Sequence, residues 1–264
     1  MDGIVSKDRV QEHGEVYTPD KIVCDMLNLT NEKLKEIYTI DEMIEANYLE
    51  PTCGNGNFLI RILDAKLSLI TDELTVEQTQ IAILKAVSSI YGIDILADNI
   101  KNSKKRMLDI LKTGDTAVLG EKQQWKNNRK FGVEILTPDF VKAVQYVLDL
   151  NIQCADALTG KQFILNKDTQ DKILDKNAEP KTCELRITQY GFECSTVGIR
   201  DIAFNSLCNN EFVYVDYSEC HYLEIDKLKP LSAFEVSTVD TRKASVEAER
   251  ALEEEDKLDD GEEF

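Results

Sequence analysis

A chain of 264 residues, 42% hydrophobic and 30% charged, can bury one good core with a smaller appendage. No apolar run in it approaches the roughly 20 residues that span a bilayer, and the opening MDGIVSKDRV lacks an apolar h-region, so a soluble, cytoplasmic protein with no membrane partner is expected. The formal charge of −18 is not confined to the end of the chain: Asp240 to Phe264 carry 11 acids and 4 bases, which leaves −11 for residues 1–239.

That balance speaks against an autonomous DNA-binding surface, whose affinity would rest on neutralising phosphates. The two basic runs, KNSKKRMLDILK (101–112) and KNNRKF (126–131), read as solvated helix faces. Seven cysteines form no CxxC pair and are odd in number, which points to reduced thiols. Cys208, Cys220 and His221 lie near one another in sequence but lack the close-spaced ligand pairs of a zinc site, so no metal is expected.

In chain order, GEVYTPDKIVCDMLNL (14–29) holds a Thr-Pro turn followed by Ile22, Val23, Met26, Leu27 and Leu29 at helical spacing. A second helix is expected over NEKLKEIY or onward toward MIEA. NYLE reads as a short strand, and a Gly-containing turn leads into a helix ending near Leu69. Another helix covers VEQTQIAILKAV, a strand covers SIYGIDI (89–95), and a helix runs from about Asp98 to Leu111. PDFVKAVQYVLDL places Phe140, Val141, Val144, Val147 and Leu148 on one side of a helix, and NIQCADAL (151–158) reads as strand plus turn. Strands alternating with helices predict a parallel sheet with crossover helices. Residues 160–182 are polar and suit a surface connection, whereas ELRITQYGFE and FVYVDYSECHYLEI alternate as strands do.

The turn in YLEPTCGNGNF (48–58) is no Walker loop, because no Gly-Lys-Ser/Thr follows. Gly54 and Gly56 begin a dinucleotide-like G-x-G, but Leu59 stands where a third glycine would be. Three neighbours add chemistry. Asp94 closes the second strand, where a carboxylate can accept both hydroxyls of a ribose; it follows Gly54 by 40 positions, and the extra helix VEQTQIAILKAV fills that interval. Asp156 follows the third strand, where a short side chain can accept from an adenine amino group. Thr18-Pro19 heads the first helix, and a hydroxyl beside a helix N-terminus suits a carboxylate. Carboxylate, ribose and adenine together describe S-adenosylmethionine (SAM), a ligand without phosphate.

In this order, GEVYTP, YLEPTCGNGNF, IYGIDI and NIQCADAL resemble the amino-terminal half of adenine-N6 DNA methyltransferases, particularly those of bacterial and phage restriction-modification systems; the likeness covers about residues 12–158. The resemblance implies an α/β, Rossmann-like SAM-dependent methyltransferase fold: an open, mainly parallel sheet with helices on both faces, here with a C-terminal β-containing extension and acidic tail. It implies that Thr18 contacts the methionine moiety. It further implies that Glu50, Gly54 and Gly56 wrap the amino-acid end of the cofactor, with Pro51 and Cys53 shaping the turn. Asp94 would then take the ribose hydroxyls, Ile95 the adenine ring and Asp156 the adenine amino group. The accompanying division is a core at 1–158, a polar connection at 159–182, a strand-rich completion at 183–232 and an acidic tail at 233–264.

The chain departs from that family at the catalytic loop. The family completes its site with Asn/Asp-Pro-Pro-aromatic, in which an aromatic ring stacks on an extruded adenine while a side-chain oxygen and a carbonyl accept from its amino group. The five prolines here, at 19, 51, 138, 180 and 230, are nowhere adjacent. The nearest polar-x-x-aromatic stretch is Asn209-Asn210-Glu211-Phe212, in which Asn209 and Phe212 are the candidate catalytic pair and Glu211 sets a negative charge between them. Cys53 and Cys154 read as buried small apolar residues, and His13 and His221 have nothing near them to complete a triad. The expected function is SAM binding with catalysis dependent on a partner, DNA being reached through a second methyltransferase or specificity polypeptide. The alternative is a noncatalytic methyltransferase-fold module or acidic modulator of a restriction-modification system.

Overall fold

Five strands form one mixed sheet in the order β1-β2-β3-β4-β5: β1 (Tyr48–Glu50), β2 (Ile90–Asp94), β3 (Ile152–Asp156), β4 (Lys161–Phe163) and β5 (Thr182–Glu184). The computed structural model describes residues 17–113, 131–166, 168–169, 171–204 and 218–227. Pairing is parallel from β1 to β2 and from β2 to β3, and antiparallel from β3 to β4 and from β4 to β5. The polar stretch after residue 160 is therefore more than a connection: it adds β4 and β5 to the sheet and carries the bridges Leu165–Lys172 and Leu174–Pro180.

Helices fill the parallel crossovers. α1 (Asp20–Ile37) buries Val23, Leu27 and Asn31, one residue per turn along a single stripe. It runs unbroken through NEKLKEI, where a separate second helix was expected. Neither Gly nor Pro interrupts the join, and the Thr30 hydroxyl donates back to the Met26 carbonyl at 3.1 Å, which lies within the helix's own turn. The chain breaks only at Tyr38, and α2 (Ile40–Glu45) starts anew from a capping box between Thr39 and Glu42. α3 (Asn57–Leu67) follows β1 directly, and α4 (Val76–Ser88) opens on a second capping box, Thr75 with Gln78. α5 (Ala97–Thr113) follows β2, and α6 (Pro138–Asn151) begins with Thr137 as cap and Pro138 in its first turn, then runs straight into β3.

Residue parity sorts the sheet into two faces, since side chains alternate along a strand. Ile90, Ile152 and Cys154 join the helix-side cluster with Leu59, Leu63, Leu67, Leu84, Val87, Phe140 and Leu148. Fully burying each such side chain stabilises the fold by about 1.5–3 kcal/mol. Tyr91, Ile93 and Ala155 point the other way and meet Leu185, Ile187 and Phe204. This second face differs from the expectation of helices on both sides: among the described residues it is covered by the β layer, and the Tyr91 hydroxyl donates to the Thr188 carbonyl at 2.8 Å across the join.

That layer is a three-stranded antiparallel sheet of β6 (Arg186–Glu193), β7 (Thr196–Ala203) and β8 (Ser218–His221). A two-residue turn at Cys194 and Ser195 joins β6 to β7, which pair along their whole length. The strand expected through YLEI is instead a 3₁₀ helix, Tyr222–Lys227, which buries Tyr222 and Ile225. The candidate catalytic pair Asn209 and Phe212 lies outside the described residues, as do Cys208, His13 and residues 233–264. Among the described residues no helix is long and apolar enough to cross a membrane, no group of side chains forms a metal cluster, and the six described cysteines are free.

Candidate functional site

The turn after β1 is fixed from three sides. Its Cys53 N–H donates to the Ile93 carbonyl at 2.8 Å, which holds the turn against the end of β2. Gly54 and Gly56 take left-handed φ values of +51° and +87°, where a side chain would be strained. A Cβ on Gly54 would sit 3.1 Å from the Tyr17 ring, and one on Gly56 would lie 2.8 Å from the Ser103 hydroxyl. From α5, Ser103 Oγ donates to the Gly54 carbonyl at 3.0 Å, and an Arg106 guanidinium nitrogen donates to the Asn55 carbonyl at 2.6 Å and to Asn57 Oδ1 at 3.0 Å. Asn57 in turn donates through Nδ2 to the Thr18 carbonyl at 3.2 Å, tying the head of α1 to the turn. Two residues after Thr18, Asp20 receives both Arg61 Nε and a terminal guanidinium nitrogen at 2.7 Å.

Each parallel strand ends in an acid. Glu50, Asp94 and Asp156 are the last residues of β1, β2 and β3, and the register that pairs Glu50 with Gly92 and Asp94 with Cys154 gives all three the parity of the helix-side face. They line a single cleft of about 750 Å³. Thr18, Gly54 and Ile95 line it too, and Phe58, Leu96 and Leu158 supply apolar wall. Ile95 and Leu158 are open to solvent, the latter at 99% exposure, so flat apolar surface is available at the mouth. Among the described residues no Lys, Arg or His lines the cleft.

The acids differ in how much of their hydrogen-bonding capacity the protein uses. Asp94 accepts from the Gly54 N–H at 2.9 Å, the Leu96 N–H at 2.8 Å and Asn99 Nδ2 at 3.3 Å. Glu50 Oε1 accepts from the Thr52 N–H and hydroxyl, both at 3.2 Å, and among the described residues its Oε2 has no hydrogen bond. Asp156 Oδ1 accepts from the Leu158 N–H at 2.9 Å; the Thr159 hydroxyl and these backbone donors hold its carboxyl below the usual carboxylate range. The Thr18 hydroxyl is likewise without a partner among the described residues.

Six of the seven predicted cofactor residues thus share one cleft: Thr18, Glu50, Gly54, Asp94, Ile95 and Asp156. Gly56 does not line it; it starts α3 in a conformation open to glycine and packs on Ser103. Cys53 and Cys154 are buried, and burial pushes both thiols up, that of Cys154 to about 11, which leaves them unreactive as nucleophiles. Among the lining residues that the sequence reading did not single out, Tyr17 and Asn99 are bonded to each other. Tyr17 lies over Gly54, and its hydroxyl donates to Asn99 Oδ1 at 3.1 Å. Asn99 is 1% exposed and reaches the site from the first turns of α5. A tyrosine next to Thr-Pro was the available signal for the first; nothing local marks the second. Compared with protein-family models, curated proteins and solved structures, the chain matches none.

Proposed function

We propose that the chain binds S-adenosylmethionine in this cleft, on a Rossmann-like methyltransferase scaffold, as the cofactor-holding part of an adenine-directed DNA methylation system. One observation carries the reading: three strand-end carboxylates on a common face surround a cleft of about 750 Å³ that has no cation among its described lining residues. Such a field repels phosphates and favours a ligand of net positive charge. A sulfonium nucleoside has that charge together with hydroxyl, ammonium and amino donors for carboxylates to accept.

The division of labour follows from position. Gly54 lets the ligand approach the backbone, and Thr18 at the head of α1 offers a hydroxyl with no partner among the described residues, beside a helix N-terminus that has no side-chain cap, for the amino-acid carboxylate. Glu50 Oε2 faces the same end with an open acceptor. Asp94 takes the sugar, Ile95 and Leu158 sandwich the purine, and Asp156, preset as an anion, accepts from its amino group. When bound, the cofactor supplies an electrophilic methyl group; the residues named here hold and orient it.

Transfer to a base requires acceptors for an extruded adenine, and the absence of adjacent prolines in the sequence supports a second polypeptide as their source. The same absence favours one further reading, a noncatalytic SAM-fold interaction module. Isothermal calorimetry with SAM tests the binding. Saturable heat is expected, with Asp156→Ala weakening affinity about tenfold, as loss of a hydrogen bond to a charged group does. No heat at saturating cofactor would contradict the reading. Methyl transfer from labelled cofactor to unmodified DNA by the chain alone, lost in Asp94→Asn, would overturn the dependence on a partner.

A further inference from the structure

A carboxylate offers about four acceptor positions, two on each oxygen. In Asp94 the protein fills three of them: Oδ1 takes the Leu96 N–H and Asn99 Nδ2, and Oδ2 takes the Gly54 N–H. A single position on Oδ2 is left for a ligand. The pattern expected of a strand-end acid, one carboxylate gripping both hydroxyls of a ribose, does not fit this side chain unless Asn99 lets go.

Asn99 is held where it is. It is 1% exposed, it stands near the start of α5, and its Oδ1 accepts the Tyr17 hydroxyl while its Nδ2 donates to Asp94. Rotating the amide by half a turn would set Oδ1 against the Asp94 carboxylate, two acceptors face to face without a proton between them. The carboxylate thus fixes the amide's orientation, and the amide occupies the carboxylate.

We infer that Asn99, braced by Tyr17, is a specificity-determining positioning residue that limits Asp94 to one hydroxyl of a vicinal diol, so that the site reads one sugar hydroxyl and ignores the other. This rests on the adenosyl reading of the cleft and adds to it a prediction about the sugar. A ligand lacking the unread hydroxyl is accepted as well as the parent compound.

The test compares SAM with its 2′-deoxy and 3′-deoxy analogues by calorimetry on the full chain, wild type and Asn99→Ala. In the wild type one analogue is expected to bind about tenfold or more weaker and the other within about threefold of SAM, the loss matching one hydrogen bond to a charged acceptor. Asn99→Ala frees the second position on Oδ1, so the tolerated analogue should now also trail SAM by about tenfold; a purely structural role for Asn99 would shift all three affinities together. Equal loss for both analogues in the wild type, or loss for neither, overturns the inference while leaving the adenosyl reading intact. Should Asn99→Ala not fold, the wild-type pattern decides alone. Failure of all three compounds to bind overturns the adenosyl reading and this inference with it.

Discussion

At the amino ends of β1, β2 and β3 buried polar groups are saturated, whereas at the carboxyl ends acceptors stay open. Just before β1 and β2, Lys66 Nζ donates to the Ile44 carbonyl at 2.7 Å, the Ala46 carbonyl at 2.6 Å and Ser89 Oγ at 2.7 Å. Just before β3, Asn151 Nδ2 donates to the carbonyls of Ser88 and Ile90 at 2.8 and 3.1 Å, and its Oδ1 accepts from the Tyr190 hydroxyl at 2.8 Å. A network whose donors and acceptors all meet inside the protein rigidifies it and leaves nothing for a ligand. Across the sheet, Glu50 Oε2, the Thr18 hydroxyl and one position on Asp94 have no partner among the described residues, and the turn beside them holds two glycines in the left-handed region that glycine enters without strain. The same strands therefore carry a scaffold at one end and a receptive surface at the other.

Breaking the saturated end should cost the most. Lys66→Ala takes a donor away from the Met43, Ile44 and Ala46 carbonyls and from the Ser89 hydroxyl, in a site where the lysine is 3% exposed, with an expected loss of about 3–5 kcal/mol in urea unfolding. Ligand affinity of the fraction that stays folded should be unchanged, because the cleft lies at the opposite strand ends.

Asp64 is the exception that sharpens the contrast. It is 2% exposed in α3, its Oδ1 has no hydrogen-bond partner among the described residues, and Arg61 stands 3.9 Å from the other oxygen. Burial pushes its carboxyl up from 3.8 to about 6, so the folded state holds the proton more tightly than the unfolded chain. The group therefore subtracts stability as pH rises from about 4 to about 6, and the full penalty is present above that window. Asp64→Asn should gain up to about 3 kcal/mol at pH 8 and nothing below pH 4; equal effects at both pH values would contradict the assignment. At the receptive end, Gly56→Ala should cost about 2 kcal/mol through its left-handed backbone and the approach to Ser103, a smaller stability change than at Lys66.

The receptive end was the more legible of the two in the sequence. Its acids close short apolar runs, its glycines follow a strand and precede a helix, and these local patterns fixed where Glu50, Gly54, Asp94 and Asp156 sit without any knowledge of pairing. Gly56 lies outside the cleft lining and packs on Ser103, and in sequence a glycine that packs on a side chain looks the same as one that faces a ligand. Asn99 was invisible, since its role arises from the side chains of Tyr17 and Asp94, residues distant from it or on another element. Strand β7 escaped because Arg200 and Asp201 break the alternation; in the fold Arg200 Nε donates to Gln189 Oε1 and Thr188 Oγ1 to Asp201 Oδ1, both at 2.7 Å across the β6–β7 pair. Its turn gave no signal either: Cys194 takes φ +50°, a position where Asn-Gly or Asp-Gly would have been recognised. The saturated end shows the general limit, for Lys66 reads as an ordinary exposed helix lysine until the carbonyls of Ile44 and Ala46 are placed beside it.

The most direct measurement is a titration of ¹⁵N-labelled protein with SAM followed by amide NMR. The account predicts that the backbone signals of Gly54, Leu96 and Leu158 and the side-chain amide of Asn99 move and saturate together, while Ser89 and Asn151 stay in place. Signals at the carboxyl strand ends that do not respond to saturating SAM, or shifts centred on Ser89 and Asn151, would contradict it.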